Sequence, residues 1–218
     1  MVADSAAVPV RGCAVTTSKR PPVRRVVTGH DDSGRAIILF DDADAPNTFV
    51  SEVIPGFGAS VAWFTPAGAV DHASDEDSAP AGRHFDFPLV GETIVRIADF
   101  PPDAVYPNNP GEAVFEEIRG QKEQQAANEH GAAKHFWFHR TESIDYAVVL
   151  EGEITLLVDD GEAVLRAGDV AVQRATAHAW SNRTDKPARM LFVLVGTDPI
   201  DPSTIASLRS AVNTRESA

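Results

Sequence analysis

The sequence predicts an all-β fold, an antiparallel sandwich or barrel, and two features of its second half carry that prediction. From residue 135 onward, short hydrophobic runs recur at nearly regular spacing. Asp-Gly and Ala-Gly pairs separate several of them, as tight turns do between antiparallel strands. The predicted strands of this half are FWFHRT, DYAVVLEGEITLLVDD, EAVLRAG, DVAVQRA, HAWSN and ARMLFVLVG.

The first half adds further strands and a leader. Residues 1–22 indicate a flexible leader that ends at paired prolines. Two β-rich runs within residues 23–40 flank a His-Asp-Asp-Ser-Gly turn and predict a hairpin. Residues 60–66 and 92–102 predict two more strands, because both are short and rich in β-forming residues. The acidic, turn-rich stretch 71–88 predicts a solvated loop.

A helical segment interrupts the strands at residues 111–131. Val114, Phe115 and Ile118 lie on one face of the predicted helix, with strong helix formers between them. Gly120 falls inside this pattern and weakens the case for one continuous helix. Because the segment directly precedes the β-rich half, we expect it to border the mouth of the barrel. Two roles stay open, a lid over bound substrate or a cover for a sheet edge or dimer contact.

These elements divide the chain into four segments. The C-terminal one predicts a short helix with Asp201 or Ser203 as its cap. The predicted segments are a leader at 1–22, an N-terminal β extension at 23–91, a barrel at 92–198 with a helical insertion at 108–134, and a C-terminal helix and tail at 199–218.

The composition argues against several classes of function. The net charge is −13, from 19 basic and 32 acidic residues, and such a field repels nucleic acid and anionic membranes. Cys13 is the only cysteine, so no intrachain disulfide can form, which suits a reducing compartment. No stretch has the length and hydropathy of a membrane span or a secretion signal. We therefore expect a cytoplasmic protein with a small-molecule partner and no nucleic-acid or membrane partner.

Polar residues cluster at the start of the β-rich half. Side chains alternate between the two faces of a strand, so His135, His139, Thr141 and Asp145 would share one face. His178 lies in a later strand-like segment. Two imidazoles and a carboxylate from two strands can bind one divalent metal ion and leave positions for water, dioxygen or a chelating substrate. These donors suit Fe²⁺, Mn²⁺, Ni²⁺ or Zn²⁺.

The spacing of this cluster resembles the first of two motifs of the cupin superfamily. That motif ends in a glycine, and six residues separate this glycine from an acidic residue earlier in the motif. Gly152 and Asp145 stand at these two positions. Counting back, His139 stands at the first histidine position of the motif and Thr141 at the second.

The second cupin motif is matched further along the chain. Gly168 opens it, and His178 and Asn182 close it with the usual gap of three residues. Arg174 stands in place of the usual proline, and the loop is one residue shorter than in the family pattern. Fifteen residues separate Gly152 from Gly168, as in compact bacterial-type cupins.

The resemblance covers about residues 92–196 and implies a cupin jelly-roll β-barrel. To this barrel the sequence adds an N-terminal strand extension, a helical insertion before the first motif and a short C-terminal helix. The implied metal ligands are His139, Asp145 and His178. The candidate groups that move or orient protons, or substitute as ligands, are Glu142, Thr141 and His135. Glu142 would need a bulge near Ser143 to turn inward, and His135 lies about 13 Å from His139 by strand rise.

The resemblance implies a mononuclear metal-dependent enzyme that acts on a small carboxylate, enol or phenolic substrate. An oxygenase is slightly favoured over a lyase, isomerase or cyclase. The alternative is a metal-free cupin that binds a small molecule without turnover. A third possibility is a metal-independent epimerase or dehydratase that uses a His-Asp pair. By analogy with other cupins we also expect a homodimer.

Overall fold

The computed structural model describes residues 20–83, 87–108, 110–128, 134–201, 203–207 and 209. Most of the predicted leader, with Cys13, and the end of the predicted tail lie outside them. The strands are β1 Arg25–His30, β2 Ala36–Asp42, β3 Asn47–Val50, β4 Gly58–Thr65, β5 Thr93–Phe100, β6 Ser143–Glu151, β7 Glu153–Val158, β8 Gly161–Arg166, β9 Val170–Arg174, β10 His178–Ser181 and β11 Ala188–Gly196. The helices are α1 Gly111–Glu117 and α2 Gln121–Asn128, with a 3₁₀ turn at Asp103–Val105.

The strands pair antiparallel throughout, and the predicted all-β class is confirmed. One sheet has six strands in the order β3-β4-β5-β11-β6-β9. A second sheet has the order β10-β7-β8, and β1 and β2 form a separate hairpin. Strand β3 was not predicted from the sequence. The division of the chain into four segments stays a prediction.

The core lies on the inner faces of the two larger sheets and follows the two-residue period of a strand. On β6, Ser143, Asp145, Ala147 and Val149 are buried, whereas Tyr146 is exposed. On β11 the buried positions alternate in the same way over the whole strand. Aromatic and aliphatic side chains between the sheets form a contiguous hydrophobic cluster.

The strand predicted for FWFHRT, residues 136–141, is wrong. Residues 135–138 form a turn in which the N–H of Phe138 donates to the carbonyl of His135 at 3.0 Å. The N–H of Trp137 also donates to Nδ1 of His135, at 3.2 Å. Only His139 pairs in a β-bridge, with His178, before β6 begins at Ser143. The turn therefore ends the alternation of faces that would have placed His135 on the same face as His139.

The predicted helix is broken in two at the position of Gly120. Arg119 has a left-handed backbone with a φ of 55°, and the N–H of Gly120 donates to the carbonyl of Phe115 at 2.7 Å. A Cβ at Gly120 would lie 2.9 Å from Cδ1 of Phe115, so a side chain there would clash. The predicted apolar face is confirmed for Val114 and Phe115, both fully buried.

The hairpin β1–β2 is anchored to the rest of the chain by Arg25. The Arg25 guanidinium donates to both carboxylate oxygens of Asp77 at 2.8 Å and to Asp42 at 2.8 Å. Only 4% of the Arg25 side chain is exposed. The described residues of this stretch, 71–83 and 87–88, form a loop as predicted, but Asp77 holds it to the hairpin and is not merely solvated.

The C-terminal segment begins a helix over residues 203–207, as expected. Asp201 is its cap, because its Oδ1 accepts a hydrogen bond from the N–H of Ser203 at 2.8 Å. Among the described residues, no helix is long and apolar enough to cross a membrane.

Candidate functional site

A cavity of about 160 Å³ lies between the two larger sheets, and α1 forms part of its wall. Its aromatic lining residues are Phe49, Phe57, Phe87, Phe100, Phe115, Trp137, Trp180 and Phe192. The polar lining residues are Asn47, Arg83, Arg96, Glu117, Arg119, His139, Asp145, Gln173 and His178. An apolar cavity with a few convergent polar groups is the usual form of a small-molecule site.

The helical insertion contributes directly to this cavity. Phe115 of α1 packs its ring 5.7 Å from the ring of Trp137 and 5.9 Å from that of His139. Glu117 at the end of α1 accepts hydrogen bonds from the Ser51 hydroxyl and the Glu52 N–H, each at 2.5 Å. α1 therefore lies against the cavity, and its role as a lid over bound substrate stays a prediction.

His139 and His178 form a pair on one wall of the cavity. Their backbones exchange two hydrogen bonds of 3.0 Å, and this bridge places the ring centroids 4.4 Å apart. The two motifs therefore meet in space, although 38 intervening residues separate the two histidines along the chain.

Backbone carbonyls determine the tautomer of both imidazoles. Nδ1 of His139 lies 2.7 Å from the carbonyl oxygen of Trp137, and Nδ1 of His178 lies 2.8 Å from that of Thr176. A carbonyl only accepts, so each Nδ1 carries the proton and each Nε2 keeps its lone pair. Metal-binding histidines in proteins are commonly oriented in this way.

Both histidines are neutral near pH 7. Burial lowers the pKa of His139 to about 4, and the positive charge of Arg96 acts in the same direction. Burial, followed by the neighbouring His139, lowers the pKa of His178 well below its ordinary value. Two neutral imidazoles can act as ligands or as hydrogen-bond acceptors without first losing a proton.

Asp145 lines the same cavity from β6 and is only 3% exposed. The Ser143 hydroxyl donates to its Oδ1 at 2.6 Å, and the Thr141 hydroxyl reaches its Oδ2 at 3.4 Å. Burial raises the pKa of Asp145, while these two hydroxyls oppose the shift. Thr141 does not line the cavity and acts on it only through Asp145.

Of the predicted metal ligands, only the imidazoles of His139 and His178 are arranged to bind one metal ion. Within the described part of the chain, no three His, Cys, Asp or Glu side chains lie close enough together to hold a metal ion. Asp145 shares the cavity with His139 and His178 but does not complete a three-ligand group with them. Metal binding by all three residues therefore stays a prediction, and the histidine pair is the part that the geometry supports.

Glu142 does not reach the cavity. It forms an ion pair with Arg140 at 3.1 Å and accepts a hydrogen bond from the N–H of Ile200 at 3.2 Å. The register of β6 with β11 is regular at Ser143, so the bulge that would turn Glu142 inward is absent there. Glu142 instead fixes the segment that leads to the C-terminal helix.

His135 also lies outside the cavity lining. Its Nε2 is 3.4 Å from Oδ2 of Asp103, an oxygen that also accepts a hydrogen bond from the Ser181 hydroxyl at 2.5 Å. The turn at residues 135–138 directs it there. The catalytic roles predicted for His135 and Glu142 are not supported by their positions.

Six of the polar lining residues were not predicted from the sequence, and two of these, Gln173 and Arg96, lie on strands of the six-stranded sheet. Gln173 of β9 is 4% exposed, and neither its Oε1 nor its Nε2 has a hydrogen-bond partner. Arg96 of β5 lies between the buried residues Ile94 and Ala98, with its guanidinium 5.9 Å from the centre of the Phe87 ring. The sequence did contain a signal for both residues. A polar residue two positions from a buried residue on the same strand faces the same side and therefore points inward.

Two sheets around a cavity, with paired histidines on its wall, agree with the cupin fold that the two motifs predicted. The family model for the cupin domain matches residues 126–194. The chain is 33% identical over 184 residues to the phomopsin biosynthesis cluster protein C' of Diaporthe leptostromiformis, covering 81% of this chain and 80% of that protein. The chain belongs to the cupin superfamily.

Two further relatives have descriptive names. The cupin-domain-containing oxidoreductase virC of Hypocrea virens is 29% identical over 195 residues, covering 85% of this chain and 84% of that protein. The cupin-domain-containing oxidoreductase fogC of Aspergillus ruber is 28% identical over 187 residues, covering 82% of this chain and 74% of that protein.

Proposed function

We propose that this cupin is an oxidoreductase-type enzyme that holds a divalent metal ion through His139 and His178. Its substrate would be a small carboxylate, enol or phenol. The observation that carries the proposal is the histidine pair, in which both Nδ1 atoms are bound to backbone carbonyls and both Nε2 lone pairs are left for a ligand. The two relatives named as oxidoreductases support the reaction class.

The cavity walls would position the substrate and exclude water from it. The rings of Phe57 and Trp137 lie 4.8 Å apart in a continuous aromatic wall that suits a planar substrate. Arg96 places a positive charge on this lining, which favours an anionic oxygen on the substrate. A bound divalent metal ion would polarise a substrate oxygen or support redox chemistry.

Asp145 is the group best suited to hold a proton in this cavity. Its raised pKa favours the protonated form more than in a solvated aspartate, so it can donate a proton and take it back. The Ser143 hydroxyl, 2.6 Å from Oδ1, orients the carboxyl group. Oxygenase chemistry stays slightly favoured over lyase, isomerase or cyclase chemistry, because two protein ligands leave room for both substrate and dioxygen.

Metal content tests the proposal directly. We expect wild-type protein, purified without a histidine tag and then exposed to Fe²⁺, Mn²⁺, Ni²⁺ or Zn²⁺, to retain close to one ion per chain. His178→Ala should lose that ion while circular dichroism shows an unchanged β-rich fold. His72→Ala is the matched control, because His72 is exposed and lies outside the cavity. Wild-type protein that retains none of these ions would refute the metal-dependent proposal.

A second candidate function has its own supporting observation. Among the described residues no three-ligand group forms, and Thr141 stands at the usual middle-histidine position. A cupin that binds a small molecule without metal or turnover would show this arrangement. Oxygen consumption with phenolic and enolic substrates, measured on the metal-loaded protein, separates the two functions, because only the oxygenase consumes dioxygen.

A further inference from the structure

Gln173 is a buried amide with no partner inside the protein. Its Oε1 and Nε2 are the only buried side-chain nitrogen or oxygen atoms without a hydrogen-bond partner in the described part of the chain. The side chain is 4% exposed and lines the cavity. Buried polar groups in native proteins are almost always hydrogen-bonded, and leaving one unpaired is costly. An unpaired amide at a cavity wall therefore points to a ligand that supplies its partners.

The surroundings of Gln173 place it at the polar end of the cavity. It lies opposite Asp145 in the register of β9 with β6, so the two side chains are neighbours on one wall. The Asp145 carboxyl group is already engaged by the hydroxyls of Ser143 and Thr141. The positive charge of Arg96 lowers the pKa of both Asp145 and His139, so Arg96 also acts on the polar end of the cavity.

We propose that Gln173 recognises the head group of the substrate and so determines the substrate class. An amide offers one acceptor and one donor side by side, and its complement presents a donor and an acceptor side by side. Carboxamides, neutral carboxylic acids and hydroxy-carbonyl groups have this edge. The inference rests on the proposed function only in taking this cavity as the substrate site.

The cavity volume sets the size of the body that carries this head group. The volume of about 160 Å³ is close to that of a protein cavity known to hold one benzene ring. The aromatic lining favours a flat, apolar body. The substrate class is therefore a planar molecule of about one ring with a paired donor and acceptor at one end.

Benzamide and toluene are suitable probes, because both are single rings and only benzamide carries the paired donor and acceptor. We would titrate each into full-length, chelator-treated protein by calorimetry, for the wild type, Gln173→Met and Gln125→Met. Gln125→Met is the matched control, because it makes the same chemical change at an exposed position of α2. Metal-free protein keeps the result separate from the metal test, so either proposal can fail alone.

We expect Gln173→Met to bind benzamide about tenfold more weakly than the wild type, with toluene affinity unchanged. Gln125→Met should bind both probes like the wild type. The unliganded Gln173→Met protein should melt at the wild-type temperature or above, because methionine fills a similar volume without unpaired polar atoms. Equal benzamide affinity in Gln173→Met, or no benzamide binding by the wild type, would overturn the proposal. A clearly lower melting temperature would overturn it too, since the amide would then have partners within the protein.

Discussion

Acid should destabilise the metal-free protein through the pair His139 and His178. The pKa of His139 is about 4 in the folded chain, against about 6.5 for an unperturbed histidine. Between these values the unfolded chain binds a proton that the folded chain does not. The free energy of unfolding therefore falls as the pH decreases from about 6.5 toward 4. The lowered pKa of His178 acts in the same direction.

The size of this effect follows from the two pKa values of His139. At pH 5 the unfolded chain gains about 2 kcal/mol relative to pH 7 from protonation of this one residue. This figure is an upper bound, because His139 is only partly buried and solvent screens part of the effect. For a chain of this length it corresponds to a fall in melting temperature of about 4–8 °C. Asp145 acts in the opposite direction, because its raised pKa favours protonation in the folded chain.

Urea unfolding of chelator-treated protein at pH 7 and pH 5 measures the effect. His139→Gln should lose less stability than the wild type between the two pH values, by up to about 2 kcal/mol. His72→Gln, at an exposed position, is the matched control and should respond like the wild type. If His139→Gln and the wild type lose the same stability, the burial of a neutral His139 is not the cause of acid sensitivity.

Two further predictions concern the loop before His178 and the sheet edge. Ala175 has a left-handed φ of 51°, which costs a non-glycine residue about 1–2 kcal/mol. The greater backbone entropy of glycine in the unfolded chain offsets part of this gain, so Ala175→Gly should raise the melting temperature by about 2–4 °C in a thermal scan. A lower melting temperature would show that the loop gains more from the alanine than it loses in backbone energy. The homodimer stays a proposal, and exposed Val170 and Val172 on the edge strand β9 offer a surface for it. Light scattering should show a dimeric wild type and a monomeric Val172→Lys, and a monomeric wild type would refute the proposal.

The part of the site that could be predicted is the part that depends on the spacing of the two cupin-like motifs. The intervals that end at Gly152 and begin at Gly168 selected His139, Asp145 and His178, and the structure brings all three to one cavity. His135 was misplaced because alternation of faces was extended through a segment that is a turn. The hydrogen bond from the Trp137 N–H to the His135 ring stabilises that turn, and no periodicity in the sequence reports it.

Gln173 shows where sequence reasoning had a signal and did not use it. It alternates with buried Ala171 in β9, so its inward direction follows from parity. That its amide lacks a partner depends on which groups the other strands bring to the cavity. The sequence alone does not specify the distances from the Gln173 amide to the groups on those strands.

The sequence by itself determined the all-β class and the positions of most turns, because alternation and turn residues act locally. The pairing of the two histidine motifs followed from the resemblance to the cupin superfamily. The tertiary structure decided which contacts these elements and side chains make. It placed α1 against the cavity, held the loop at Asp77 to Arg25, and left Asp145 outside a three-ligand group with the histidines. These outcomes depend on contacts between segments far apart in the chain, where the packing of side chains sets each distance.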